Sequence, residues 1–153
     1  PFAYLPNGIP GIETRLPLLF SEGVGSGRIS LNRFVELTAT NPARLYGLHP
    51  RKGTIAIGSD ADIAIWDPEL QVTVANARLH HAVDYTPYEG MRLRGWPVTV
   101  LSRGELVCEN GEPRGTPGRG EFLRCALPDM AAQKAVPAMP QNAPLPGRTA
   151  GPD

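Results

Sequence analysis

This sequence has little of what soft-metal sites and disulfide frameworks are built from. Only two cysteines, Cys108 and Cys125, stand in 153 residues. They are too few and too irregularly placed for a disulfide-stapled fold or a zinc knuckle, and both read as free thiols of a reducing cytoplasm. There are three histidines, His49, His80 and His81. A hydrolytic zinc site needs several His, Asp or Cys ligands converging on one ion. His49 precedes a proline in a loop, and the adjacent His80 and His81 would point to opposite faces of an extended strand. No chelating pair is expected, so the three read as structural or surface residues. Excess charge of one sign is also missing: fifteen acidic residues balance fifteen basic ones. No net field therefore recruits nucleic acid or an anionic membrane. No apolar run approaches the roughly 20 residues that span a bilayer. Pro1-Phe-Ala-Tyr-Leu5 has neither the basic start nor the long apolar middle of a signal peptide. A first residue that is Pro rather than Met fits processing or, better, truncation.

The length allows one ordinary core, and the chain divides into three pieces. Residues 1–49 read as a loop followed by helices. Leu16, Leu19, Phe20 and Val24 recur at helical spacing until Gly23, Gly25 and Gly27 break the pattern. Ser30 suits the N-cap of a second helix with Leu31, Phe34, Val35 and Thr38 on its inner face. A third helix is expected from Asn41 as N-cap, with Pro42 in the first turn and Gly47 as the stop. Residues 50–114 read as strands. Ile55 and Ile57 alternate with small residues, Ile63 and Ile65 oppose Ala64 and Trp66, and Asp67-Pro68 closes that strand. Val98–Leu101 and Leu106–Cys108 flank Ser102-Arg-Gly-Glu105, a hairpin turn in which Gly104 can take positive φ. The spacing predicts a small antiparallel sheet or sandwich. Helices and strands in separate blocks suggest two packing units rather than one alternating α/β sheet. Residues 115–153 hold seven of the seventeen prolines. They form an extension expected to be partly disordered, with Phe122 and Leu123 placed to dock an arm on a neighbour.

Few residues suggest chemistry, and each has a plainer reading. Asp60 and Asp62 at i and i+2 can share a strand face, as an acid–base pair requires, but Asp after Gly58-Ser59 is ordinary turn chemistry. No base, nucleophile or metal ligand neighbours them. Gly23-Val-Gly-Ser-Gly27 imitates a phosphate cradle, yet it follows a helix and lacks the Lys-Ser/Thr end. Arg33 and Glu36 form a solvated pair one turn apart. Tyr85, Pro87 and Tyr88 suit packing or an interface, since no basic residues interleave with them. Asn7 lies in the loop-forming run Pro6-Asn-Gly-Ile-Pro10. Its amide has one acceptor and two donors, able to pair with a polar ligand edge, but a capped turn is the default reading.

Two stretches carry a resemblance. Asn7-Gly-Ile-Pro-Gly-Ile-Glu-Thr-Arg15 and Pro50-Arg-Lys-Gly-Thr-Ile-Ala-Ile-Gly-Ser-Asp-Ala-Asp-Ile-Ala-Ile-Trp-Asp-Pro68 resemble the C-terminal end of the dihydropyrimidinase and D-hydantoinase family of cyclic amidohydrolases. The likeness runs over about residues 1–124. It implies an α/β fold class: the C-terminal fragment of a (β/α)₈ TIM barrel, part of a small β-sandwich, and an extended tail. On this reading 1–49 supplies the last barrel loop and closing helices, 50–114 a sandwich segment, and 115–153 the C-terminal extension. The implied reaction is zinc-dependent hydrolytic opening of dihydropyrimidine or 5-substituted hydantoin rings to N-carbamoyl amino acids. Two zinc ions bridged by a carboxylated lysine activate a hydroxide, an Asp shuttles the proton and a Tyr supports the oxyanion. By family order those residues lie upstream of Pro1. No catalytic or metal-ligating residue is then expected in this chain, which should be inactive alone. Asn7 alone carries over, as a substrate-binding residue. The implied partners are a small cyclic ureide and further copies of the protein, in a cytoplasmic homodimer or homotetramer contacted through the extension. The alternative is a non-catalytic, dihydropyrimidinase-like oligomeric scaffold.

Overall fold

The computed structural model describes residues 8–128. Helical chain leads, and strands follow. Helix α1 (Ile12–Leu19) runs on as one wide, π-helical turn over Phe20–Gly25. Gly23 and Gly25 therefore lie inside the helical stretch, and the break comes later than their number suggests. Gly27 makes it, with φ 73° and its N–H on the Val24 carbonyl at 2.9 Å. Gly23 serves a different purpose: a Cβ there would stand 3.0 Å from the end of the Ile29 side chain.

Ser30 is the expected cap. Its hydroxyl accepts the Arg33 N–H at 3.2 Å and opens helix α2 (Leu31–Val35). Asn41 is not a cap, because the chain stays helical through the wide turn Glu36–Thr40 into helix α3 (Asn41–Leu45). Asn41 itself has φ −66° and ψ −44°. Pro42 cannot donate to the carbonyl one turn back, and a widened turn just before it accommodates that loss without ending the helix. Gly47 does stop the run, in the left-handed region at φ 64°, with its N–H on Arg44 and the Leu48 N–H on Ala43 at 2.7 Å.

The strands make one four-stranded antiparallel sheet in sequence order among the described residues: β1 (Ile63–Thr73), β2 (Arg92–Ser102), β3 (Glu105–Glu109) and β4 (Glu112–Pro113). Ile55 and Ile57 belong to none of them and are largely exposed. Gly53 at φ 79° and Gly58 at φ 90° bend their segment into turns, so its alternation never meets a partner strand. Nor does Asp67-Pro68 close a strand. It is a bulge: the Asp67 carboxylate accepts the Glu69 and Leu70 N–H groups, and pairing resumes at Gln71 opposite Arg94. A second irregularity between Ile65 and Trp66 breaks the period of two, turning the Trp66 ring inward while Ile65 is half exposed. The β2–β3 hairpin forms as read, with Arg103 at φ 52° joining Gly104 at φ 79° in the turn. Asn110 and Gly111, at φ 51° and 84°, make a second such turn into β4.

Helices and sheet share one aromatic cluster. Phe20 stacks on Trp66 with ring centroids 4.8 Å apart, and Phe34 meets both rings edge-on at 5.5 Å. Leu93 and Val74 are almost fully buried. Residues 115–128 are tied down rather than loose. The Ala126 N–H reaches the Gly47 carbonyl at 2.9 Å, Arg119 donates to the Ser102 carbonyl at 2.6 Å, and Arg103 pairs with Glu121 at 3.0 Å. Phe122 is exposed on this chain. The rest of the Pro-rich extension lies outside the described residues, as does Asn7. No helix among the described residues is long and apolar enough to cross a membrane.

Candidate functional site

The chain enters the described region at Gly8, one residue after Asn7, and passes through Ile9, Pro10 and Gly11 into α1. That entry has no local capping side chain. Gly11 is the N-cap, with φ −156°, and its carbonyl accepts the Arg15 N–H at 2.9 Å and the buried Thr14 hydroxyl at 3.4 Å. What holds the entry comes from far along the chain. Glu13 takes the backbone N–H of His80 on one carboxylate oxygen at 2.8 Å and the His80 Nδ1 on the other at 3.0 Å. A carboxylate accepts only, so Nδ1 carries the proton and donates. Tyr88 lies against Gly11, its ring edge 3.7 Å from where a Cβ would be.

The loop between β1 and β2 that supplies His80 and Tyr88 is itself well held. Val74 and Met91 close its base, the Val74 N–H donating to the Met91 carbonyl at 2.9 Å. Within it Asn76 is the hub. Its N–H meets Glu89 at 2.7 Å, its amide donates to the Val83 carbonyl at 3.3 Å, and its side-chain oxygen faces His81 Nε2 at 2.8 Å. The two histidines thus engage different partners, though from a loop rather than a strand. Thr86 is buried, and its hydroxyl accepts the Tyr88 N–H at 3.3 Å. An open cleft of about 650 Å³ runs alongside, with Glu13, His80, Arg78, Val72, Val74 and Trp96 in its walls. The sequence had shown Glu13 only as part of a motif. A lone Glu in a first helical turn is common, and nothing local links it to a residue 67 positions away.

Asp60 and Asp62 form the other concentration of charge, and their role is structural. Lys52 bridges them, at 2.8 Å to Asp60 and in closer contact with Asp62, while Arg51 Nε donates to Asp60 at 2.9 Å. Asp62 also accepts the Arg103 N–H at 2.8 Å, and the Gly104 N–H meets the Ala61 carbonyl at 3.0 Å. The cluster therefore ties the segment before β1 to the β2–β3 turn. The hydrogen bond from Lys52 holds the Asp60 carboxyl below its ordinary range, with Arg51 adding to it. Partial burial works to raise Asp62, and the bonds from Lys52 and the Arg103 amide outweigh it, leaving that carboxyl lowered too. Burial likewise opposes the charge on Lys52, but its two carboxylate partners prevail and raise the ammonium. On the helical face, Arg33 bonds Glu36 at 2.6 Å and lowers its carboxyl.

Among the described residues no three His, Cys, Asp or Glu side chains gather at metal-binding distance. Cys108 is half-buried, Cys125 exposed, and neither is in a disulfide.

Residues 7–107 match the family model of the amidohydrolase family. Over 123 residues the chain is 50% identical to the D-hydantoinase of Ralstonia pickettii, a match covering 80% of this chain and 27% of that protein. Identity to a D-phenylhydantoinase of Escherichia coli is 52%, with the same coverage of each. Among solved structures, the dihydropyrimidinase of Brevibacillus agri superimposes with a TM-score of 0.79 at 49% identity, over 82% of this chain and 28% of that one. The D-hydantoinase of a Thermus species gives 0.78 at 44% identity, over 81% and 27%. This chain thus spans about a quarter of the length of the relatives it matches. With matching helices, sheet and sequence, the chain belongs to the amidohydrolase family.

Proposed function

We propose that this chain is part of a cyclic amidohydrolase of the hydantoinase and dihydropyrimidinase type. The reaction is hydrolytic cleavage of a ring amide in a dihydropyrimidine or a 5-substituted hydantoin. Water adds to the ring carbonyl carbon, the C–N bond breaks, the nitrogen takes a proton, and an N-carbamoyl amino acid leaves. The observation that carries this is the run of 123 residues at 50% identity to a protein named D-hydantoinase, in a chain whose helices and sheet also superimpose on such enzymes. The names of these relatives give the non-catalytic scaffold reading no support.

In this proposal Asn7 forms one polar lip of the substrate pocket, pairing with the N–H and C=O edge of the ring. The (β/α)₈ barrel belongs to the whole enzyme, with this chain contributing its closing helices and part of a small β domain. The metal centre belongs to the whole enzyme as well. The described residues do not fit two zinc ions bridged by a carboxylated lysine, because they bring no three ligands together. Ligands from elsewhere in the protein are required. A cytoplasmic location and a dimer or tetramer joined through residues 115–153 complete the reading.

The test uses the intact gene product, purified and loaded with zinc. Dihydrouracil or hydantoin absorbance should fall with time, and chelation should stop the loss. A metal-loaded protein that turns over neither ring would reject the assignment.

A further inference from the structure

We propose that Glu13 and His80 form a clasp that sets the direction in which the chain leaves the Asn7 loop and enters α1, making both of them positioning residues for substrate binding. The inference rests on the reading of Asn7 as a substrate contact, and it adds two residues that act through that loop.

Three observations carry it. First, the entry to α1 has no side-chain cap, since Gly11 offers none, so local chemistry leaves the direction of Gly8–Gly11 weakly specified. Second, Glu13 grips His80 twice, through the main-chain N–H and through Nδ1, which fixes the carboxylate in orientation as well as in distance. Third, the element gripped is rigid for a loop. Its base is paired by Val74 and Met91, its interior is cross-braced by Asn76, and Thr86 is buried within it. Tyr88 from the same loop packs on Gly11 itself, adding a contact directly at the N-cap. A loop braced against the sheet therefore holds the start of a helix that has no cap of its own. A small displacement of a binding group is enough to lose a ring contact, which is how a residue outside the pocket reaches the substrate.

The experiment compares Glu13→Ala, Glu13→Gln, His80→Ala and the double variant Glu13→Ala/His80→Ala with wild type, all as the intact, zinc-loaded gene product. For Glu13→Ala the expected result is a KM for hydantoin raised at least fivefold with kcat within twofold. His80→Ala keeps its main-chain N–H and should lose less. Glu13→Gln retains an acceptor for that N–H and should recover most of the affinity. The double variant should be no worse than Glu13→Ala, since one contact cannot be lost twice. A merely structural role would lower the folded fraction without moving KM. Amide hydrogen exchange supplies a readout independent of turnover: in Glu13→Ala the amide of His80, which loses its acceptor, and that of Arg15, bonded to the Gly11 carbonyl, should exchange at least tenfold faster, with β1 and β2 unchanged. Unchanged exchange there, or an unchanged KM, overturns the clasp and leaves the hydrolase assignment standing. A wild-type protein without turnover overturns the assignment, and the substrate-positioning role with it.

Discussion

The ring of Phe20 lies directly on the backbone of Gly95, so close that a Cβ on that residue would fall 2.2 Å from two ring carbons. This contact joins the wide turn after α1 to the middle of β2, where Gly95 also holds φ 92° opposite the Asp67 bulge. Two independent penalties meet at one position. A side chain at that φ is strained by about 1–3 kcal/mol, and forcing the ring aside adds about 1–3 kcal/mol of overpacking. Gly95→Ala should therefore lower the unfolding free energy by about 2–6 kcal/mol in urea titration of the intact protein. Gly118 is the control. Its φ is 84° but no atom lies within 4 Å of its missing Cβ, so Gly118→Ala should show only the strain. Equal losses at the two sites would mean that Phe20 yields freely.

Phe34 completes the same cluster, edge-on to both Phe20 and Trp66, and is 6% exposed. Phe34→Ala, which truncates a ring so enclosed, should cost about 3–5 kcal/mol through lost burial and the cavity left behind. Phe34→Leu keeps most of the volume and should cost less than half as much. Thermal melts of the two variants decide whether the helices are anchored to the sheet here, because a peripheral contact would give losses near zero for both.

Some of this architecture is legible in the sequence, and the reason is local. Ser30 caps its own helix, Gly47 stops its own helix, and Gly104 turns its own hairpin, each within a few residues. Asn110-Gly111 carries the same turn signal and was equally open to reading. What escaped depends on distant partners. Ile55 and Ile57 alternate like a strand but find no strand to pair with among the described residues, and flanking glycines bend them into turns. Asn41 has the chemistry of a cap, yet the widened turn before Pro42 lets the helix pass through it. Gly95 and Glu13 are silent in sequence, because Phe20 and His80 reach them only once the chain has folded back. The reading of Asn7 as a pocket residue rests on family resemblance alone.

The Lys52–Asp60–Asp62 cluster gives stability a defined pH window. Both carboxyls are lowered below the ordinary value of 3.8. A group lowered by folding contributes fully above its unfolded pKa and loses that contribution as pH falls through the folded one. Lys52 is raised above 10.5, so its share is complete below that value and is lost as pH climbs past it. Lys52→Met should accordingly narrow its stability deficit against wild type as pH drops below about 4, and show its full deficit between roughly pH 5 and 9. Melting midpoints across pH check this; a deficit constant from pH 2 to 7 would show that the ammonium acts by packing alone. The effect is modest, since both carboxylates are partly solvated.

Asn7→Ala tests the pocket itself. Removing a neutral hydrogen-bonding group from a bound ring loses about 1–2 kcal/mol of interaction. At about 1.4 kcal/mol per factor of ten, KM for hydantoin should rise roughly tenfold in the intact enzyme. If the amide serves ground state and transition state alike, kcat stays near wild type, because uniform binding moves KM alone. Asn7→Asp keeps the size and the acceptor but removes both donors and places a negative charge beside the ring carbonyl. It should be worse than Asn7→Ala if the side chain donates to that oxygen. If Asn7→Ala instead matches wild type while a main-chain change at Gly8→Pro, which removes the neighbouring N–H, raises KM, the contact is made by the backbone and the side chain is dispensable.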